Sequence, residues 1–226
     1  MIYNNIFPGR FISRPNRFIA HIEIEGSTEI CHVKNTGRCV ELLIPGAHVF
    51  VQKSDNANRK TRFDLISVYK GDRLINMDSQ APNKVFAQWA QSSGYFQSIS
   101  FIRPEVKYEN SRFDFYIEAD SRRIFVEVKG VTLEDKGICM FPDAPTVRGV
   151  KHLLELCDSI RHGYSAMIVF IIQMDGVSYF TPNDKTHPQF KAALAQAVSC
   201  GVTAVALDCC VTENSITAKD FVEIRF

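Results

Sequence analysis

Asp114, Glu127 and Lys129 follow one another as acid, acid and lysine, with Glu105 upstream, and those types at that spacing suit metal-assisted cleavage of a phosphate ester. Asp114 lies in RFDFYIE among Phe113, Phe115 and Ile117, so on an extended strand it faces away from those apolar neighbours. After a turn over 119–122 the chain returns as IFVEVKG. There Glu127 and Lys129, two residues apart, project from one sheet face about 6–7 Å from each other, and a hairpin brings Asp114 beside them. Carboxylates a few Å apart raise each other's pKa, an expense that a divalent cation removes. Mg²⁺ takes one or two carboxylates and fills its remaining positions with water and substrate phosphate, so Mg²⁺ or Mn²⁺ is the expected cofactor. The adjacent ammonium can orient or deprotonate an attacking water and stabilise charge on the phosphate. Glu105, in RPEVKYE, offers a third carboxylate. The same residues also suit ordinary ion pairs across an exposed hairpin. Their setting argues otherwise, because the acids interrupt runs of Phe, Ile and Val. A carbohydrate enzyme with Asp114 and Glu127 as its acid and base would leave Lys129 without a task.

The elements that must position these residues can be read from periodicity. The first eighty residues alternate apolar and polar in short runs: RFIAHIEIE, EICHV, VFVQK and TRFDLISVYKGDRLINM. Turn signals separate the runs at Gly26, at 35–37, at Pro45-Gly46, over 54–58 and at Gly71-Asp72. Many short strands in this length predict a small barrel, of OB or SH3-like type, with the OB type the size that fits. From Asn83 the texture changes to a helix, NKVFAQWAQSSG, with Val85, Phe86, Trp89 and Ala90 on one face and Gly94 closing it. Strands then follow at 112–118 and 123–129, and a loop over KGICMFPDAP. Next come a helix at 146–161, a strand at 166–174, a helix at 188–199, a strand at 202–208 ended by Cys209-Cys210, and a last strand FVEIRF. This alternation predicts an α/β or α+β domain with a central mixed sheet. Two domains are expected, 1–81 and 82–226.

Composition narrows the classes. With 26 Lys plus Arg against 25 Asp plus Glu, no global field draws the protein to a polyanion, so any such binding rests on local patches. The start, MIYNNIFPGRF, lacks a signal-peptide pattern, and the longest apolar run, AMIVFII, falls short of the ~18 residues of a membrane span. A cytoplasmic protein without a membrane partner is expected. Seven cysteines at irregular spacing fit reduced, packed thiols, and Cys31-His32 with Cys39 lacks the paired spacing of a zinc site.

Several segments together resemble one family. EVKYENSRFDF, FVEVKGVTL and FPDAPTVRGVKHLLEL, preceded by RFISRPNRFIA, HVKNTGR, LLIPGAHV and NRKTRFDL, are similar in order and spacing to the motifs of the sugar fermentation stimulation protein A family, over nearly the whole chain. The resemblance implies an OB-fold domain followed by a PD-(D/E)xK restriction-endonuclease-like domain. Asp114 then takes the place of the motif's aspartate, Glu127 of its second acid and Lys129 of its lysine, with Asp114 and Glu127 holding the metal. Glu105 matches the glutamate of the family's EVKYG segment. The sequence departs from the family pattern at Glu109, where Gly is usual, at Gly130, in place of Ser, and at Val147, in place of Glu. The family is named for a sugar-fermentation phenotype linked to maltose metabolism, and its members are described as regulators that bind DNA without sequence preference. Two functions therefore stand: a metal-dependent nuclease acting on DNA, with RNA second, or a non-catalytic DNA-binding regulator.

The resemblance also gives weight to FPDAPTVRGVKHL. There Thr146 can cap a helix on which Arg148 and His152, at i and i+4, share a face suited to a substrate phosphate, with Asp143 orienting them. A solvated helix face is the alternative. Gln173, where the buried strand emerges, is a supporting candidate, since nucleases of this fold often carry a glutamine near the metal. In the barrel, Lys34, Asn35, Arg38, Arg59, Lys60 and Arg62 lie in or beside turns, where basic loops of OB-folds contact phosphates. The sequence leaves the oligomeric state, homodimer included, unassigned.

Overall fold

Five alternating segments of the N-terminal region close on themselves. They are β1 (Ile6–Asn16), β2 (Ile19–Ile24), β3 (Ser27–Val33), β4 (His48–Lys53) and β5 (Phe63–Lys70), ordered β3-β2-β1-β4-β5. Parallel pairing of β3 with β5, Cys31 opposite Phe63 and Val33 opposite Leu65, completes an OB-type barrel. Ala20, Ile22, Val33, Val49, Val51, Leu65 and Val68 fill its interior. The computed structural model describes residues 1–35, 37–56 and 58–226. Thr36 and Ala57, within two of the expected turns, lie outside the described residues.

Beyond the barrel, β6 (Arg73–Asn76) pairs with β5 and leads into α1 (Ala81–Ser92), which buries Val85, Phe86, Trp89 and Ala90 as its period predicts. The remaining elements are β7 (Ile99–Tyr108), β8 (Ser111–Ala119), β9 (Arg122–Val131), β10 (Leu133–Asp135), β11 (Ile138–Phe141), α2 (Val147–Arg161), β12 (Ser165–Ile172), β13 (Tyr179–Pro182), α3 (Pro188–Ser199), β14 (Thr203–Thr212) and β15 (Ser215–Phe221). A six-stranded sheet orders them β15-β14-β12-β9-β8-β7. Its centre, β9-β12-β14, is parallel, and antiparallel hairpins flank it on both sides. β12 is buried almost throughout, as expected of a parallel strand covered on both faces. The helix α1 packs on one face, while α2 and α3 pack together on the other. The mixed sheet of the sequence reading is present.

Local expectations fail where sequence period carries little signal. The loop expected across KGICMFPDAP contains β11, which joins β10 and β13 in a small sheet of its own. Its four residues are too few to establish a period. The last strand is β15 rather than FVEIRF, because the turn at Glu213-Asn214 sets the β14–β15 register, and beyond Phe221 the chain leaves the sheet through a Val222 N–H bond to the Ala206 carbonyl and a bridge of Ile224 to Phe180. Cys209 and Cys210 accordingly sit inside β14, not at its end. β7 escaped because it is an edge strand with mostly exposed side chains and a proline, which edges tolerate. Burial pushes the thiols of Cys31, Cys39 and Cys139 up to about 12, which makes them packing groups.

Polar straps fix the barrel against the second sheet. Glu134, 5% exposed, receives Lys70 at 2.8 Å and Arg73 at 2.7 Å from the barrel side. Gln173, 2% exposed, donates through Nε2 to the Asn76 and Asp78 carbonyls and to Asn76 Oδ1. At Gly130 a Cβ would lie 2.5 Å from Gln173 Oε1 and 2.7 Å from Pro82 Cγ, so the strap packs directly against the glycine backbone. Removing one partner of such a strap leaves the others desolvated without a counter-charge. Glu134→Ala is expected to destabilise the chain by about 2 kcal/mol, lowering the melting temperature by roughly 4–8 °C. Differential scanning calorimetry checks this, and an unchanged midpoint would deny the strap a structural role.

Candidate functional site

At Asp114 the strand β8 parts from β9. Regular pairing ends at Phe115 opposite Val126, and the two flanking phenylalanines turn to opposite sides of the sheet. Phe113 packs against Phe125 and His152 on the α2 side, whereas Phe115 packs against Phe86 of α1. The simple alternation expected of RFDFYIE therefore breaks at this residue. Into the gap goes the carboxylate. Asp114 Oδ2 accepts the Val128 backbone N–H at 2.8 Å, and Oδ1 accepts the Asn83 amide of α1 at 3.0 Å.

On β9 the neighbours of Glu127 are Val126 and Val128, whose side chains point to the α1 face, so Glu127 points towards α2 and is only 2% exposed. Its Oε1 accepts from Lys129 Nζ and from His152 Nδ1. Arg148 donates through Nε to His152 Nε2 at 3.2 Å, which leaves the imidazole proton on Nδ1, facing Glu127. The second oxygen, Oε2, is buried with no hydrogen-bond partner among the described residues.

The electrostatics separate the two acids. Burial pushes Asp114 above the usual carboxylate range, and the charge of Glu127 adds to it. The Val128 N–H, the Asn83 amide and Lys129 oppose that rise without cancelling it. Burial acts on Glu127 in the same direction, but the His152 hydrogen bond and the Lys129 charge outweigh it and hold the group below the usual range.

The structure thus gathers Asp114, Glu127, Lys129, His152 and Arg148. It places Glu105 elsewhere: the residue stands opposite Asp114 in register with a left-handed φ of 52°, but its carboxylate reaches outward to Arg112 at 3.2 Å. His152, expected to face a phosphate, is 3% exposed and is spent on Glu127 instead, because the helix face it shares with Arg148 is turned to the sheet at that turn. Asp143 does not orient Arg148 or His152. Its Oδ2 takes the Arg38 backbone N–H at 3.1 Å, docking the barrel loop, and a Cβ at Gly37 would meet that oxygen at 2.2 Å. Gln173 is directed to the interdomain strap.

Of the basic residues expected in the barrel, Lys34 is held by Asp64 and Asp78, each at 3.4 Å, and Arg59 by Asp64 at 3.0 Å through Nη1. Asn35 turns its Oδ1 to the Gly37 N–H. Arg38, Lys60 and Arg62 are exposed, Arg62 lying 3.6 Å from Glu29. Two contributors went unread in the sequence. Asn83 is one, a polar residue in the first turn of α1 just after Pro82. Arg14 is the other: its guanidinium gathers the carbonyls of Arg17, Asn35, Gly37 and Arg38 and so shapes the docking loop. Arg14 lies within RFISRPNRFIA, but neither residue type nor spacing tells what its guanidinium or the Asn83 amide bonds.

Comparison with known proteins places these features in a family. Residues 80–215 match the family model described as sugar fermentation stimulation protein RE domain, and residues 12–77 match the SfsA N-terminal OB domain. A sugar fermentation stimulation protein homolog of Desulfitobacterium hafniense (strain Y51) is 62% identical over 225 residues, covering 100% of this chain and 98% of the relative. The homolog of Ruminiclostridium cellulolyticum is 60% identical and covers both chains completely. The solved structure of Pyrococcus furiosus SfsA in complex with Ca²⁺ is 30% identical, with a TM-score of 0.91 over 100% of this chain and 98% of that one.

An ionised Asp114 burdens the fold, since its raised pKa means that stability falls as pH rises through that value. Asp114→Asn should therefore raise the melting temperature in metal-free buffer at neutral pH, by about 2–4 °C for each kcal/mol relieved. Flipping the Asn83 amide preserves both hydrogen bonds. The gain should shrink as pH falls towards the ordinary carboxylate value of about 4, where wild-type Asp114 also becomes neutral. Thermal melts across pH check this, and a variant less stable than wild type at neutral pH would contradict it.

Proposed function

The chain belongs to the sugar fermentation stimulation protein family, and from that premise we propose that it is a nucleic-acid-binding protein that hydrolyses phosphodiester bonds, of DNA first and RNA second, with Mg²⁺ or Mn²⁺. The observation that carries this reading is Glu127 Oε2, a buried carboxylate oxygen without a partner among the described residues, beside a second acid that burial, and then the Glu127 charge, drive towards protonation. A cation meets both demands. Among the described residues no three His, Cys, Asp or Glu side chains gather at metal-ligand spacing, so the protein ligands would be two, Asp114 and Glu127, a number that Mg²⁺ accepts. The Ca²⁺ in the Pyrococcus furiosus relative supports a divalent ion in this family.

The chain's own residues divide the work. A bound divalent ion would supply charge neutralisation at the phosphate and a nucleophile at neutral pH. Lys129, two residues along the same face, orients the water that attacks phosphorus and stabilises charge on the phosphate oxygens as the bond to the leaving oxygen breaks. His152 holds Glu127 in place and takes no part in the chemistry. Glu105, paired with Arg112 in solvent, acts only through water. On the barrel, Arg38, Lys60 and Arg62 offer phosphate contacts that give affinity without sequence readout. The link to sugar fermentation then runs through nucleic acid.

A second reading has one observation in its favour. Lys129 and His152 both occupy Glu127 Oε1, which is also how a purely structural ion-pair cluster in a non-catalytic, sequence-indifferent DNA-binding regulator would look. Incubation of single- and double-stranded DNA and RNA with Mg²⁺ or Mn²⁺ separates the two. Wild type should cleave and Lys129→Ala should lose about 100-fold or more in rate. Equal cleavage by both would sink the assignment, and salt-dependent binding without cleavage of any substrate would establish the regulator. Divalent ions should also raise the wild-type melting temperature by mass action, an effect that Asp114→Asn removes.

A further inference from the structure

A groove of about 500 Å³ opens beside the candidate site, between the β7–β8 turn and the first turns of α2. Four cationic side chains line it: Lys107, Arg112, Arg148 and Lys151. Glu109 also lines it, and the buried His152 forms part of its wall. The cations come as two pairs of like charge. Lys107 and Arg112 are direct cross-strand partners, an arrangement that destabilises a hairpin unless an anion lies between them. Arg148 and Lys151, at i and i+3, share one face of α2 with the same repulsion.

Internal carboxylates relieve only part of this charge. Glu105 reaches Arg112 at 3.2 Å, both side chains well exposed, and Glu155 reaches Lys151 at 3.6 Å. Lys107 and Arg148 pair with no carboxylate among the described residues, and Arg148 has committed only its Nε, to His152, leaving the Nη edge of its guanidinium. Among the described residues Glu109 is the one acid lining the groove, on a turn where its φ is a left-handed 45°. Through His152 the groove reaches Glu127, so an anion seated on Arg148 lies one side chain away from the hydrogen bond that fixes the candidate metal-binding carboxylate.

We propose that this groove between the β7–β8 turn and α2 is a phosphate subsite for the nucleic-acid backbone next to the bond presented to Glu127, with Arg148 shared between the two. The assignment rests on the reading that the protein binds nucleic acid, and is independent of whether it cleaves. Lys107, Arg112 and Lys151 contact phosphate oxygens and fix the register of the strand without reading its sequence. Glu109 tempers the affinity of the subsite. Occupancy of the groove also restrains Arg148, and with it the imidazole that orients Glu127.

Fluorescence anisotropy with labelled single-stranded and duplex DNA in EDTA, over a series of salt concentrations, tests this without cleavage. Lys107→Ala and Lys151→Ala should each weaken binding and flatten the dependence of log affinity on log salt by roughly 0.7–0.9 for every phosphate no longer neutralised. Glu109→Gln should tighten binding about two- to fivefold at low salt, a gain that misfolding cannot mimic. Lys219→Ala, on β15 at the opposite edge of the sheet, serves as the control and should match wild type. Wild-type binding with unaltered affinity and salt slope in the groove variants would overturn the subsite while leaving the nucleic-acid reading intact. Absence of wild-type DNA binding would remove both. A melting-temperature gain with inorganic phosphate that Lys107→Ala abolishes, together with DNA binding that Lys107→Ala leaves unchanged, would reassign the groove to a small anion and also overturn the proposal.

Discussion

Burial of one carboxylate organises the larger domain of this protein. Glu127 sits on the central strand of a sheet covered on both faces, where an isolated charge would be driven to neutralise. Two donors on one of its oxygens keep it ionised, and both have defined positions. Lys129 comes from the same strand two residues on, and His152 from the helix packed above it. Everything that sets the register of β9 or the seating of α2 therefore acts on this one group. Parallel pairing with β12, from Ser165 opposite Ile124 to Ile172 opposite Val131, holds the strand along nearly its whole length. On the other side β8 lets go at Asp114, and the released backbone N–H of Val128 donates to the second acid.

The arrangement costs the fold stability. A regular β8–β9 ladder would be the better fold, and an asparagine at 114 the better neighbour for a buried glutamate. What the departure secures is a pair of carboxylates with different proton affinities, one held ionised and one drawn towards neutrality, with an unpartnered oxygen among the described residues beside them. Such differential tuning is common where a site must accept a cation or a phosphate. Strain is visible nearby as well, in the left-handed backbone of Glu105 and Glu109 on the hairpin that borders the site.

Much of this was legible in the sequence, and the rest was hidden for physical reasons. The helix α1 announced itself through Val85, Phe86, Trp89 and Ala90, and the pair Glu127 and Lys129 through the two-residue repeat of a strand. Both depend on local periodicity, which sequence records. The turning of Phe113 and Phe115 to opposite sides does not, because it arises from what β9 and the two flanking helices offer as partners. Charge type alone also says too little. Arg148 and His152 read as a phosphate-binding pair by helical spacing, yet burial on one side of that stripe assigns the histidine to a carboxylate. Asp143 and Gln173, polar residues at strand and loop ends, turn out to hold the barrel in place. In the barrel, Lys34 and Arg59 are consumed by the buried Asp64, whose burial no residue spacing reveals.

The straps between barrel and sheet carry a further consequence for how the molecule comes into being. Lys70 and Arg73 meet Glu134, Arg38 meets Asp143, and Asn76 meets Gln173, so each strap joins a residue before the second sheet to one made tens of residues later. A chain growing from its amino end finishes the barrel's strands long before these counterparts exist. Until then Lys70 and Arg73 lack the carboxylate that they meet in the finished fold, and the last strap partner, Gln173, comes only after β12. Asp114 and Glu127 both precede Glu134, Asp143 and Gln173 in the chain, so the joint that seats the barrel against the buried acids is built from residues made after the acids themselves.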